Sequence, residues 1–377
     1  MKGFIGSLLF LLIFTVSCTT QAPIHAPSPS SQPTSPTPPT PASTPTPVPI
    51  PPTTPTPIVA PPSLEKEEYQ RVYPETIRGF WMPSLANLPR GGKQALSVDE
   101  PETIKEFHAN LVAFAAHVSY DHEGKIYVSR IERQLPLVRS LIKEYHQNNI
   151  SVFLTIEVLG PEMGKFGPGS IPDSVLRNDE FISQYDWCLK KVVALAEEEK
   201  VEYFAPMNEP DHKLGSEIGN VWSRRMLQIV QKGFTGRIVY KGALSQSLRR
   251  GQKLDFSGYS YVGLTSAPFN GKLEEYRPSL SERLQTLIEW SREDKFELMI
   301  TEFGVSGLEQ NNTPEEKQAE ALAIVFEEGR KNGIKTYIVS DLPEEYRTKI
   351  KGTALEQTVK KYFLLLEQNE REGDRRK

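Results

Sequence analysis

Between Thr76 and Gln368 the chain repeats one alternation eight times: a short, nearly continuous apolar run followed by a more polar segment. The runs are Thr76–Trp81, Leu111–Val118, Ile150–Glu157, Val201–Pro206, Gly236–Lys241, Leu254–Tyr261, Phe296–Met299 and Ile334–Ser340. Continuous rather than alternating hydrophobicity is what a parallel strand covered on both faces requires. Helical spacing is read over Val98–His108, Tyr127–Asn149, Asn178–Lys200, Ser216–Lys232, Pro278–Glu293, Pro314–Asn332 and Thr353–Gln368. Only a short helical link fits between the fifth and sixth runs. Strand-to-strand steps of roughly 20–50 residues predict an α/β chain closed into a (β/α)8 TIM barrel. No glycine-rich phosphate fingerprint follows the first run, which argues against a doubly wound sheet.

The barrel leaves the first sixth of the chain unexplained, and composition accounts for that part. Residues 1–17 read as a signal peptide, because Gly3–Ser17 is apolar, uncharged and too short to span a bilayer comfortably. Thr15-Val16-Ser17-Cys18 resembles a bacterial lipobox, with Thr15 where an aliphatic residue is usual. That resemblance implies acylation of Cys18 and an extracytoplasmic protein anchored to the membrane; simple secretion is the alternative. Of the 42 residues from Gln21 to Pro62, 17 are proline and none is Asp, Glu, Lys or Arg. Such a segment buries too little to fold and favours polyproline II, so 18–62 is read as a disordered linker. It would reach roughly 100 Å or more if extended. The catalytic domain is placed at 63–370 and a charged tail at 371–377. Formal net charge is −4, with no basic tract except the terminal Arg371–Lys377 region, which is mixed in sign, so nucleic acid is not an expected partner.

Two carboxylates stand just after apolar runs: Glu209 in Met207-Asn208-Glu209-Pro210 and Glu302 in Thr301-Glu302-Phe303-Gly304. In a (β/α)8 barrel those positions belong to the C-terminal face, where catalytic groups gather. A pair of carboxylates is what glycosidic bond cleavage needs. The two segments resemble the Asn-Glu-Pro motif of strand four and the Glu-x-Gly motif of strand seven in clan A retaining glycoside hydrolases. The resemblance covers the barrel order and these two motifs. It implies Glu209 as acid/base, Glu302 as nucleophile and Asn208 as the partner of a sugar 2-hydroxyl. Gly258-Tyr259-Ser260-Tyr261 is similar to the strand-six segment whose aromatic hydroxyl meets the nucleophile, and Tyr261 is the residue taken.

Further substrate contacts are read from position on the strands. Trp81 ends the first run and is expected to stack on a sugar, with rim packing as its alternative. His117 and Glu157 end strands two and three. His117 is expected to bond a substrate hydroxyl or orient Glu302, with a buried structural histidine as its alternative. Glu157 is expected to be a third subsite carboxylate, with a solvated loop residue as its alternative. Arg78 is expected to support the nucleophile by a charge-assisted bond. Asp211 and His212 follow the motif into the cleft. Many clan members carry a tryptophan at the end of strand eight; Val339-Ser340-Asp341-Leu342-Pro343 has none. No His-Glu-x-x-His, paired-cysteine or Gly-x-Ser-x-Gly motif competes, so neither metal nor cofactor is expected. The expected function is therefore a membrane-anchored retaining glycoside hydrolase acting on a β-linked polysaccharide or oligosaccharide. A non-catalytic carbohydrate-binding lipoprotein on the same barrel and a transglycosylase stay open beside it.

Overall fold

A computed structural model describes residues 69–82, 85–86, 98–161, 171–244, 247–248, 251–265, 272–303, 314–341 and 350–376. The expected signal segment, Cys18 and the proline-rich linker lie outside the described residues, as do Gly304, Leu342 and Pro343.

Eight parallel strands close in chain order: β1 (Ile77–Trp81), β2 (Leu111–Ser119), β3 (Ser151–Leu159), β4 (Tyr203–Ala205), β5 (Arg237–Gly242), β6 (Tyr261–Thr265), β7 (Glu297–Phe303) and β8 (Thr336–Ser340). β8 pairs back onto β1, from Ile77 opposite Thr336 to Trp81 opposite Ser340. The (β/α)8 barrel is thereby established. Closure removes every sheet edge, and the period-two alternation of each strand separates two cores. Trp81, Ala113, Phe153, Tyr203, Val239 and Met299 fill the inside. Their neighbours Phe80, Val112, Phe114, Leu154 and Phe204 face the helices.

The described helices are α1 (Pro101–Glu106), α2 (Val128–Gln147), α3 (Asp173–Leu176), α4 (Asp179–Glu198), α5 (Pro210–Leu214), α6 (Ser216–Gln231), α7 (Leu273–Asp294), α8 (Glu315–Lys331) and α9 (Ala354–Arg376). α4 shows why such segments are helical. Its cap Asn178 accepts from the Glu180 and Phe181 amides at 2.8 and 3.4 Å. Phe181, Tyr185, Cys188, Leu189 and Val192 then bury one stripe at helical spacing.

Four expectations need correction. The sixth strand begins at Tyr261, where the sequence reading ended it; Gly258 at φ 89° turns the preceding segment away from the ladder. α7 starts at Leu273, five residues before Pro278, and keeps that proline inside the helix. The last helix does not stop at Gln368: α9 runs through the charged tail to Arg376, with Arg371 bonded to Glu367 one turn back at 2.7 Å. Short helices α3 and α5 occupy stretches to which the sequence reading assigned no element.

One irregularity positions a carboxylate. Between β6 and β7 the register slips: Gly263 opposes Met299 and Leu264 opposes Ile300, but Thr265 opposes Glu302. Thr301 is the extra residue of this bulge. Met299 faces the barrel interior, so strict alternation would turn 301 inward and 302 outward; the inserted residue brings Glu302 back to the inner side. Gly263 makes room for it, because a Cβ there would collide with the Thr301 side chain. Gly263→Ala is expected to cost about 1–3 kcal/mol of stability through overpacking. A urea midpoint equal to that of the unaltered protein would remove this role.

Candidate active site

Five side chains, four at the C-terminal ends of β3, β4, β5 and β7 and one from α5, form one hydrogen-bonded chain. Lys213, from α5, donates to Glu157 Oε1 on β3. Glu157 Oε2 accepts from Asn208 Nδ2 at 2.5 Å. Asn208 Oδ1 accepts from Lys241 Nζ on β5 at 2.5 Å, and the same ammonium donates to Glu302 Oε2 at 2.7 Å. The order is cation, anion, amide, cation, anion. Each end of the Asn208 amide meets the partner its polarity requires, so the side-chain orientation follows from its neighbours. Lys213 and Lys241 are fully covered, whereas the Glu302 side chain keeps 21% of its surface open. A buried ammonium needs such partners to offset its lost hydration.

Glu209 enters this arrangement through the backbone. Its φ of 51° and ψ of 55° are left-handed, a region non-glycine residues rarely occupy. Its N–H donates to the Lys241 carbonyl at 2.8 Å, and its own carbonyl accepts from the His212 and Lys213 amides at 3.1 and 3.0 Å. Pro210 follows as the first residue of α5 and suits a helix start. A strained carboxylate-bearing residue at a strand end marks a site worth testing as functional.

The electrostatics couple these groups. Burial pushes the Glu302 carboxyl up from its usual range, Lys241 beside it pulls down, and the Glu209 and Glu157 charges push up again. Asp211 is also buried, and accepts from the Ala243 and Leu244 amides at 3.0 and 2.7 Å. Burial foremost, with the Glu209 charge assisting, pushes it up to about 6, against the pull of those amides. Native Asp211 therefore holds its proton more tightly than the unfolded chain, whose ordinary value is 3.8. Its contribution to stability is full below that value and is lost as pH rises through about 6, by roughly 3 kcal/mol. In Asp211→Asn this decline is expected to vanish. Urea unfolding of both proteins at pH 4 and pH 7 checks it; a constant difference between them would contradict the assignment.

Of the residues expected from sequence, Glu302, Asn208 and Glu157 join directly, and Glu209 joins through its peptide N–H. His117 stands in register with Glu157 on the adjacent strand and faces the same way. Three others do not serve as expected. Trp81 is 1% exposed and its ring lies 4.1 Å from Lys241 Nζ, so that face holds a cation and is not open to a sugar. Arg78 falls on the outer face of β1 and bonds the His108 carbonyl at 2.8 Å and Glu370 at 2.8 Å, at the opposite end of the barrel. Tyr261 opens β6 instead of closing it, with its ring 5.8 Å from that of Tyr203 near the barrel floor. At the end of β8, Asp341 accepts from the Val98 amide at 3.1 Å and the Ile350 amide at 3.4 Å, tying segments together where a tryptophan had been sought.

Sequence reasoning missed Lys241 and Lys213. For Lys241 a signal existed: it closes Ile238-Val239-Tyr240-Lys241, two residues beyond the inward Val239. Lys213 offers none, because a lysine just after a helix start is ordinarily solvated.

No protein-family model matches the chain, and no curated protein matches its sequence. Solved structures do match in fold. A GH113 beta-1,4-mannanase aligns with a TM-score of 0.59 and 16% identity, over 77% of this chain and 99% of that one. The GH113 beta-mannanase AaManA from Alicyclobacillus acidocaldarius, in complex with ManMIm, aligns at 0.55 and 14%, over 77% and 98%. Thermotoga maritima Cel5A, in complex with mannotriose, aligns at 0.53 and 13%, over 76% and 97%.

Proposed function

We propose that this chain is a retaining glycoside hydrolase that cleaves β-linked polysaccharide, held outside the cell by a lipid on Cys18 and a proline-rich spacer. The observation that carries the reading is the placing of Glu302 and Glu209 on either side of Lys241. The Glu302 carboxylate accepts from its ammonium and the Glu209 peptide N–H donates to its carbonyl, at the barrel face where such chemistry is done. Glu302 attacks the anomeric carbon as the glycosidic C–O bond breaks, and the Glu209 proton passes to the departing oxygen. Water then attacks the same carbon, giving its proton to Glu209 and releasing the Glu302 carboxylate. Asn208, fixed at both ends, is left one N–H for a sugar hydroxyl.

Among polymers, β-1,4-mannan is the first choice, since two of the fold neighbours above are named β-mannanases and the third was solved with mannotriose. Reducing-sugar release by the full chain from mannan, β-glucan, xylan, galactan and chitin tests the reading. Release from one of them, with chains only shortened, is expected; lengthened products would indicate transglycosylation. A second reading, a sugar-binding lipoprotein without turnover, is favoured by the covered Trp81 ring and the ion pair on Glu302. Binding to one polymer with no release from any would establish that reading instead.

A further inference from the structure

We infer that Lys241 is a positioning residue for the reaction proposed above: it keeps Glu302 a carboxylate in the resting site and fixes which of its oxygens can attack. The inference rests on the glycosidase reading. Lys241 is completely buried, and among the described residues its ammonium meets Glu302 Oε2 at 2.7 Å, Asn208 Oδ1 at 2.5 Å and the Trp81 ring at 4.1 Å. Three contacts in different directions leave the ammonium little room to swing. A charge-assisted bond to Oε2 holds one Glu302 oxygen and leaves Oε1 to turn toward an anomeric carbon.

The need for a cation follows from what else faces Glu302. Glu209 after β4 and Glu157 on β3 both repel its charge, and burial disfavours it further. From β6, Thr265 is the residue in register and brings no charge. Beyond β8, Asp341 is an acid turned to the Val98 and Ile350 amides. Lys213 is already committed to Glu157. Lys241 is therefore the cation in contact with Glu302 among the described residues. The same ammonium orients Asn208, so a single side chain sets both the attacking carboxylate and the amide expected to bind sugar.

Two readouts test this in the full chain. The first is the pH profile of kcat/KM for the unaltered protein, Lys241→Met and Lys241→Arg. An opposite charge at this distance lowers a carboxyl pKa by roughly one to three units. In K241M the acidic limb is expected to move up by that amount, with kcat falling more than KM changes, and K241R should recover most of the shift. An unmoved limb overturns the proposal. The second readout needs no turnover: 13C NMR titration of the Glu302 carboxyl, assigned by its loss in Glu302→Gln. It is expected to titrate higher in K241M than in the unaltered protein. If K241M does not fold, the unaltered protein decides alone, since a Glu302 still protonated above pH 7 contradicts the inference. Absent turnover on every polymer with a clear NMR shift would sink the glycosidase reading and the positioning role with it, leaving Lys241 only as the group that keeps Glu302 ionised. Turnover with no shift would keep that reading and overturn the role of Lys241.

Discussion

Glu302→Gln is expected to abolish polymer cleavage, with a loss in kcat on the order of 10⁴-fold or more, because an amide cannot form the glycosyl ester. Little structural change should accompany it. The amide oxygen can still accept from Lys241, and the side chain keeps its place on the bulged end of β7. The variant should therefore melt as the unaltered protein does and retain affinity for the polymer. Glu209→Gln is expected to be milder, about 10²–10⁴-fold, since it removes proton transfer and leaves the attacking group in place. Its defect should shrink on aryl glycosides whose leaving groups need no proton. Steady-state kinetics on both substrates separate the two roles. A Glu302→Gln enzyme within tenfold of the unaltered rate would take Glu302 out of the chemistry.

The largest expected effect on stability lies at the other end of the same chain. Lys213 has no solvent exposure and donates to Glu157 and, at 3.4 Å, to the Val158 carbonyl. Lys213→Met removes the cation and strands a buried carboxylate, for which a cost of about 3–5 kcal/mol is expected. The pair itself is a weak source of net stability, because both groups gave up hydration to form it. Combining Lys213→Met with Glu157→Leu should accordingly recover much of the loss. Activity should not return with it, since Asn208 Nδ2 would have lost its acceptor. Urea unfolding of the two single variants and the double measures this. A loss below about 1 kcal/mol in Lys213→Met would mean that water reaches Glu157 and solvates it.

The contrast between these predictions mirrors what the amino-acid sequence could and could not disclose. The barrel was legible because parallel strands covered on both faces have to be continuously apolar, and eight such runs recur. Glu209 and Glu302 were legible because each interrupts apolar character at a strand end. Strand six was not: Leu254–Tyr261 is apolar and aromatic enough to pass for a strand, but Tyr259 packs outward, its hydroxyl bonding the Ser223 carbonyl at 3.1 Å. The true strand starts where that run stops, and this sent Tyr261 to the wrong end of the barrel. Arg78 failed for a different reason. A one-residue phase choice on β1 decides between the interior and the helix layer, and the five residues of IRGFW are all buried. The lysines escaped because a lysine's burial depends on partners brought by other strands, which no local pattern reveals.

The missing strand-eight tryptophan takes on a physical meaning beside Lys241. Trp81 is occupied by the ammonium and Asp341 by two backbone amides, so neither provides an aromatic floor for a sugar ring. On the proposed reading, Asn208 and the open edge of Glu302 are polar groups among the described residues that a sugar would meet.

Mass spectrometry of the peptide carrying Glu302, after reaction with a 2-deoxy-2-fluoro glycosyl fluoride of the sugar the protein releases, tests the central claim most directly. The account predicts one added glycosyl unit on Glu302, with inactivation in step and no adduct in Glu302→Gln. An adduct on another residue, or none while the protein still turns over its polymer, would contradict it.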